Sequence, residues 1–303
     1  MTSTDVLDPS APQQLPGVPG SGRRSLRDAL RDFGRNYMGL IGLSAILFML
    51  LFSFVGPLLY PTNQVQPNLL QVTRHPSGQF PLGTDQVGYN VLGRLMVAGQ
   101  SSLEVGLAAA AIATVVGTLW GAVAGFAGGW LDSVMMRIVD ALLAIPALLM
   151  VLLLTTILTP SIIMVIFVLG LISWLVTARL VRGQVLVLKQ LEYVQAAQQF
   201  GERAWQIVAK HLVRNVIGTV VVQATFEVAN AILLFATLSF LGLGPPPPAV
   251  NWGGMLNDGL NYVFDGYWWL IYPAGLCIVI TVVAFNMIGD AIRNSLEVRL
   301  TRR

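Results

Sequence analysis

Long runs without a single charged residue limit what this chain can fold into more than any other feature. Ala141–Ala178 contains no Asp, Glu, Lys or Arg, and neither does Met38–Leu59. A helix crossing the hydrocarbon core of a bilayer needs about 20 predominantly apolar residues, so each run is at least one crossing long. A soluble domain carries about 25% charged residues, whereas this 303-residue chain carries 11%, against 55% hydrophobic. A soluble core of this length could not enclose so much apolar surface, and lipid-facing helices need not enclose it. The expected fold class is an all-α integral membrane protein.

Cutting the chain at its breakers predicts six transmembrane helices, over about residues 38–59, 105–127, 139–158, 161–180, 216–241 and 270–290. Tyr60-Pro61 ends the first, and Thr159-Pro160 divides Ala141–Ala178 into two, because proline lacks an amide hydrogen and clashes with the preceding turn. Tyr267, Trp268, Trp269 and Tyr272 stand where an interfacial aromatic belt belongs. Residues 1–22, rich in Pro, Gly, Ser and Gln, read as a disordered cytoplasmic tail. Residues 23–36 set Leu26, Leu30 and Phe33 at helical spacing among five arginines, the pattern of an amphipathic interfacial helix on anionic lipid or of a plain solvated helix. The first apolar run lies behind this polar stretch and is expected to stay as an anchor rather than act as a cleaved leader. Residues 37–303 form one transmembrane domain. With the N-terminus inside, every Lys and Arg except Arg74 and Arg94 falls on an inner segment. Both termini are therefore expected to be cytoplasmic, in a multi-pass protein of the inner or plasma membrane.

The largest inner segment, residues 183–215, fits two short helices meeting at Gly201, since glycine takes up the turn that ends a helix. Ala196 and Ala197 leave a low-relief face before the turn. After it, Ala204, Ile207, Val208 and Leu212 make an apolar stripe with Trp205 nearby, and Glu202, Arg203 and Lys210 form a charged rim. Such a hairpin either lies on the bilayer or docks into a partner's groove.

LEYVQAAQQFGERAWQIVAKHLVRN (Leu191–Asn215) resembles the cytoplasmic "EAA loop" of ABC importer permeases: Glu-Ala-Ala, three residues, Gly, then Leu-Pro some twelve residues on. Ala196, Ala197, Gly201 and Asn215 match, Gln195 stands at the Glu position, and Val213-Arg214 at Leu-Pro. PLGTDQVGYNVLGRL (Pro81–Leu95) is similar to the outer "LGTDxxGRDVLSRL" segment of dipeptide, oligopeptide, nickel and glutathione importer permeases. LSFLGLGPPPPAVNWGGMLNDG (Leu238–Gly259) and FNMIGDAIRN (Phe285–Asn294) resemble that family's loop after the fifth span and its C-terminal signature. The resemblance runs from about Asp28 to Leu296. It implies the type I importer permease fold and half of a translocation pathway for di- or oligopeptides or a related small solute. It implies as partners a second homologous permease, two ATPase subunits and an extracytoplasmic solute-binding protein. Ala196, Ala197, Gly201, Glu202, Arg203 and Trp205 would couple to an ATPase, and Asp85, Trp252 and Asn257 would belong to the outer surface facing the binding protein.

A few polar residues remain for chemistry. Glu227 falls within the fifth expected span with Asn230 one turn away, and a charge there is tolerated only facing protein or water. It is a candidate for the substrate pathway, able to meet a peptide's amino group, or a structural pair with the partner permease. The chain has no GxxxxGK[ST] phosphate loop, so it is expected not to be an enzyme and to hold no cofactor, ATP and Mg being bound by partner subunits. One cysteine, Cys277, and two histidines, His75 and His211, on opposite sides of the membrane make neither a metal site nor a nucleophile–base pair. A net charge of +3, dispersed along the chain, gives no surface for nucleic acid. An ion-coupled secondary transporter without ATPase partners is the competing expectation; it would leave the 191–215 loop without a purpose.

Overall fold

The computed structural model describes residue 34, residues 36–158 and residues 161–301, with side chains through Ser295. The expected tail (1–22) and nearly all of the expected interfacial helix (23–36) lie outside the described residues. Within them the chain is helical, with one isolated antiparallel bridge, between Thr84 and Asn90. Among the described residues five helices are long and apolar enough to cross a membrane, or six if one bent pair is counted as a single span.

Helix α1 spans Tyr37–Leu59, its start capped by the Asn36 side chain, which accepts from the amides of Met38 and Gly39. A π turn at Leu51–Val55 interrupts it. Gln100 of the next helix donates to the Ser53 carbonyl at 2.8 Å, so that polar group is not left bare in an apolar setting.

Helix α2 runs from Val91 to Ala127, fourteen residues earlier than the 105 expected from the uncharged run. Asn90 caps it, accepting from the Gly93 amide at 3.2 Å, and Val91, Leu95, Met96 and Ala98 are buried. Hydropathy sees only the part that matches the hydrocarbon. Tertiary packing carries the helix on past Glu104, Gln100 and Arg94.

The third expected span, 139–158, is two helices: α3 (Gly129–Leu143) and α4 (Ala147–Ile157), bent 83° apart. Pro146 explains the break, because the residue before a proline is pushed out of helical backbone. Helix α3 is amphipathic and is latched to α5 (Ile162–Leu188) by ion pairs, Asp132 to Arg182 at 2.7 Å and Asp140 to Arg179 at 2.6 Å.

Helices α2 and α5 pack closely. A Cβ on Gly121 would stand 2.3 Å from the Ala178 carbonyl, and one on Gly125 would stand 3.0 Å from that of Arg182. Small residues at helix crossings of this kind let backbones approach. Gly128 ends α2 at φ +67, and Lys189 covers that end by donating to the Phe126 carbonyl at 2.6 Å.

Helix α6 (Glu192–Gln199) precedes α7, which is continuous from Ala204 to Phe240 through a π turn at Val208–Val213. The fifth span is thus longer than the expected 216–241. The segment 183–215 is mostly helix rather than a separate loop. Arg214, where the resembled pattern has proline, keeps its amide, and the backbone stays helical past it. Helix α8 (Trp252–Leu260) packs near the far end of α7, and α9 (Tyr272–Thr301) closes the bundle.

Candidate functional site

Three features could carry function: the α6–α7 hairpin, a cleft along α7, and a polar cap at the opposite end of the bundle. The hairpin begins with its turn. Gly201 adopts φ +78, its amide donates to the Gln198 carbonyl at 3.1 Å, and the Glu202 amide donates to that of Ala197 at 3.1 Å. These paired bonds are a Schellman motif, which satisfies the last carbonyls of α6 and requires a left-handed residue at the turn. Gln206 then accepts from the Arg203 amide at 3.2 Å and starts α7. Asn215 donates to the Tyr193 hydroxyl at 3.1 Å, tying α7 back to α6. Glu202 accepts from Lys210 at 3.3 Å and lies 3.0 Å from the His211 ring. The His211 contact, and then Lys210, hold its carboxyl below the usual glutamate range.

The expected apolar stripe does not face outward. Ile207, Leu212 and Val216 are buried with Val194, Val181 and Val185, and Ala197 and Val208 pack against them. The stripe seats the hairpin on α5 and α2. What the hairpin shows instead is aromatic: Phe200 is 88% exposed and Trp205 64%, with Tyr193 and Leu191 beside them. Ala196 is half-buried, whereas Gly201 and Arg203 are exposed. Phe200 is absent from the sequence-derived set. Its signal was an aromatic placed off the stripe, directly before the turn glycine.

The cleft, of about 380 Å³, lies where the α3–α4 bend opens beside α5 and α7, and both Glu227 and Asn230 line it. Glu227 is only 3% exposed and accepts from Gln223, one turn earlier, at 2.9 Å. Leu142, Met150, Ile172, Leu233 and Leu234 supply much of the wall.

At the opposite end the two outer segments singled out in the sequence meet. Asp85 accepts from the amides of Val87 and Tyr89 at 3.0 and 2.8 Å. Arg94 lies 3.4 Å from Asp85 and 3.6 Å from Asp258 of α8, so one cation joins the outer loop, α2 and α8. Burial pushes the Asp85 carboxyl above the usual aspartate range, against the pull of the Tyr89 amide and Arg94. Trp252 is 0% exposed and donates to the Leu95 carbonyl at 3.0 Å. Asn257 donates to the Phe240 carbonyl at 2.7 Å, covering the end of α7. Trp269 donates to Thr84 at 3.2 Å, and His75 packs on its ring at 4.7 Å. Asp85 and Trp252 therefore cannot themselves be a surface offered to another protein. They hold the cap together, because a polar group buried among backbone must spend its bonds there. Arg94 and Asp258 are the members that sequence reading missed, since charges so far apart in sequence show no spacing.

Residues 117–302 match the family described as binding-protein-dependent transport system inner membrane component. Residues 25–76 match the N-terminal TM domain of oligopeptide transport permease C. The chain is 39% identical over 276 residues to the dipeptide transport system permease protein DppC of Bacillus subtilis (strain 168), covering 91% of this chain and 86% of that protein. It is 40% identical over 279 residues to the oligopeptide transport system permease protein OppC of Escherichia coli (strain K12), covering 91% and 92% respectively. A third relative, the probable D,D-dipeptide transport system permease protein DdpC of Escherichia coli (strain K12), is 38% identical over 255 residues, covering 83% and 84%.

Proposed function

This chain belongs to the family of inner membrane components of binding-protein-dependent transport systems, as an ABC importer permease, and from that premise we propose that it forms one half of the pathway for di- and oligopeptides. The peptide assignment is supported by relatives named for dipeptide and oligopeptide transport that match along nine-tenths of the chain. A second homologous permease supplies the other half. Two ATPase subunits bind ATP and Mg and hydrolyse the nucleotide, and a solute-binding protein delivers the peptide from outside. The distribution of Lys and Arg supports cytoplasmic termini.

The observation that carries the coupling role is the exposed pair Phe200 and Trp205 on a hairpin whose own apolar stripe is already buried. Aromatic side chains left in water on a rigid turn are what a partner's groove buries. Ala196, Gly201, Glu202 and Arg203 shape and rim that surface. Glu227 and Asn230 lie on the pathway side. The binding protein meets the outermost exposed groups, among them Phe264, Leu70 and Pro246–Pro248, with Asp85, Trp252 and Asn257 as the scaffold behind them.

Affinity purification of the tagged chain from native membranes tests this reading. Recovery of a second permease and an ATPase is expected, with the ATPase alone lost on Phe200→Asp. A chain purified without partners that still moves solute into vesicles without ATP would overturn it.

A further inference from the structure

We infer that Glu227 and Gln223 form a receptor for the ammonium group of the transported peptide, so that this subunit holds the amino end and the partner permease takes the carboxylate end. The inference rests on the pathway reading above. Glu227 is the fourteenth residue of the 27-residue segment Arg214–Phe240, its midpoint. It is 3% exposed, its carboxylate meets the neutral amide of Gln223 at 2.9 Å, and among the described residues no cation pairs with it. A buried carboxylate either gains a compensating charge or takes up a proton, and an ammonium group arriving in the cleft supplies the charge. None of the residues lining the cleft is basic, so the cleft offers no cation to a substrate carboxylate. An ammonium group has three donors. Glu227, the side-chain carbonyls of Gln223 and Asn230 and the Ser173 hydroxyl are the side-chain acceptors lining the cleft. The apolar wall includes Met150, whose flexible thioether adapts to different shapes. The volume of about 380 Å³ falls within the range, about 300–1,000 Å³, that holds small ligands. One fixed acid in a tolerant wall suits substrates that share an amino terminus and differ elsewhere.

The test uses the complete transporter in proteoliposomes with ATP and two peptides, each presented as its complex with the binding protein. One has a free amino terminus and the other has that amine replaced by hydrogen. Variant-to-wild-type rates compared peptide by peptide cancel the binding protein's own preference. Glu227→Gln is isosteric with a protonated glutamate and is expected to slow the free-amine peptide about 10- to 100-fold, the span of a charged hydrogen bond, while leaving the des-amino peptide within about twofold. Equal slowing of both peptides, as a structural pair with the partner permease requires, or of neither, overturns the inference. Leu233→Trp separates the underlying reading. If filling the cleft slows neither peptide, the pathway assignment itself fails; if it slows both while Glu227→Gln acts on neither, only the ammonium receptor is lost. Should Glu227→Gln not assemble, thiol labelling of Asn230→Cys reads the same contact. Protection by the free-amine peptide alone supports the receptor, and equal protection by both peptides refutes it.

Discussion

Replacing Gly201 with alanine isolates the backbone contribution of the hairpin turn, because nothing lies within 4 Å of where the new Cβ would stand. The whole effect must then come from φ +78. A left-handed conformation costs a residue with a Cβ roughly 1–2 kcal/mol, which corresponds to about a 5- to 30-fold change in an equilibrium. The bonds at risk are Gly201 N–H to Gln198 and Glu202 N–H to Ala197, each 3.1 Å. Hydrogen exchange at those two amides is therefore expected to quicken by about 5- to 30-fold in Gly201→Ala. Gly201→Asn should recover most of the loss, since asparagine visits this conformation more readily. ATPase co-purification should follow the same order, with Gly highest, then Asn, then Ala. Exchange unchanged in the alanine variant, or alanine and asparagine behaving alike, would show that the turn does not set the hairpin and would refute the argument.

Arg94→Gln strands the buried Asp85 carboxylate beside Asp258; a loss of about 3–5 kcal/mol is expected, seen as easier proteolysis of residues 60–90, and adding Asp85→Asn should restore part of it. The Glu202 carboxyl is held low by His211, so its stabilising contribution is complete above the ordinary glutamate value, about 4.3, and is lost as pH falls through the lower folded value. His211→Ala should move that titration upward in difference infrared spectra, and an unmoved titration would refute the contact. Gly121→Ala drives a Cβ to 2.3 Å from the Ala178 carbonyl and should destabilise by about 1–3 kcal/mol in thermal melts. Gly183→Ala, on the facing helix α5 and with open space around it, should instead stabilise by about 0.5–1 kcal/mol.

Spans were legible where hydropathy and membrane thickness coincide. Ala141–Ala178 had to be split, and it is, with α4 ending at Ile157 and α5 starting at Ile162, but a further break falls at Pro146, whose flanks Ile145 and Ala147 are as apolar as the rest of the run. The start of α2 at Val91 was not legible, because Arg94 and Glu104 look like loop until one sees that Asn90 caps the helix and Asp85 pairs with Arg94. On the hairpin, Gly201 and the alanines could be located from sequence. The direction of the apolar stripe could not, since the same period suits lipid, a partner or the chain's own α5. Glu227 announced itself as a charge in an apolar run. Gln223, its hydrogen-bond partner, was hidden because a glutamine in a span gives no comparable signal.

Helix α7 has a mechanical consequence. Its 37 residues make a rod about 55 Å long, with the hairpin turn at one end and the Phe240 carbonyl under Asn257 at the other. A rod pivoting at its crossing with α2, where a Cβ on Gly106 would strike Ile232, acts as an unequal lever: with arms of about 42 and 12 Å, a tilt of about 5° moves the hairpin end by roughly 4 Å and the other end by roughly 1 Å in the opposite direction. The π turn at Val208–Val213 sits on the long arm, between the hairpin and the fulcrum, where a compliant joint would blunt small jolts and pass on large ones. Stroke length and stiffness of a single helix would then set how much nucleotide-driven motion reaches the outer mouth, and stiffening that joint should change the gearing without touching a single substrate contact.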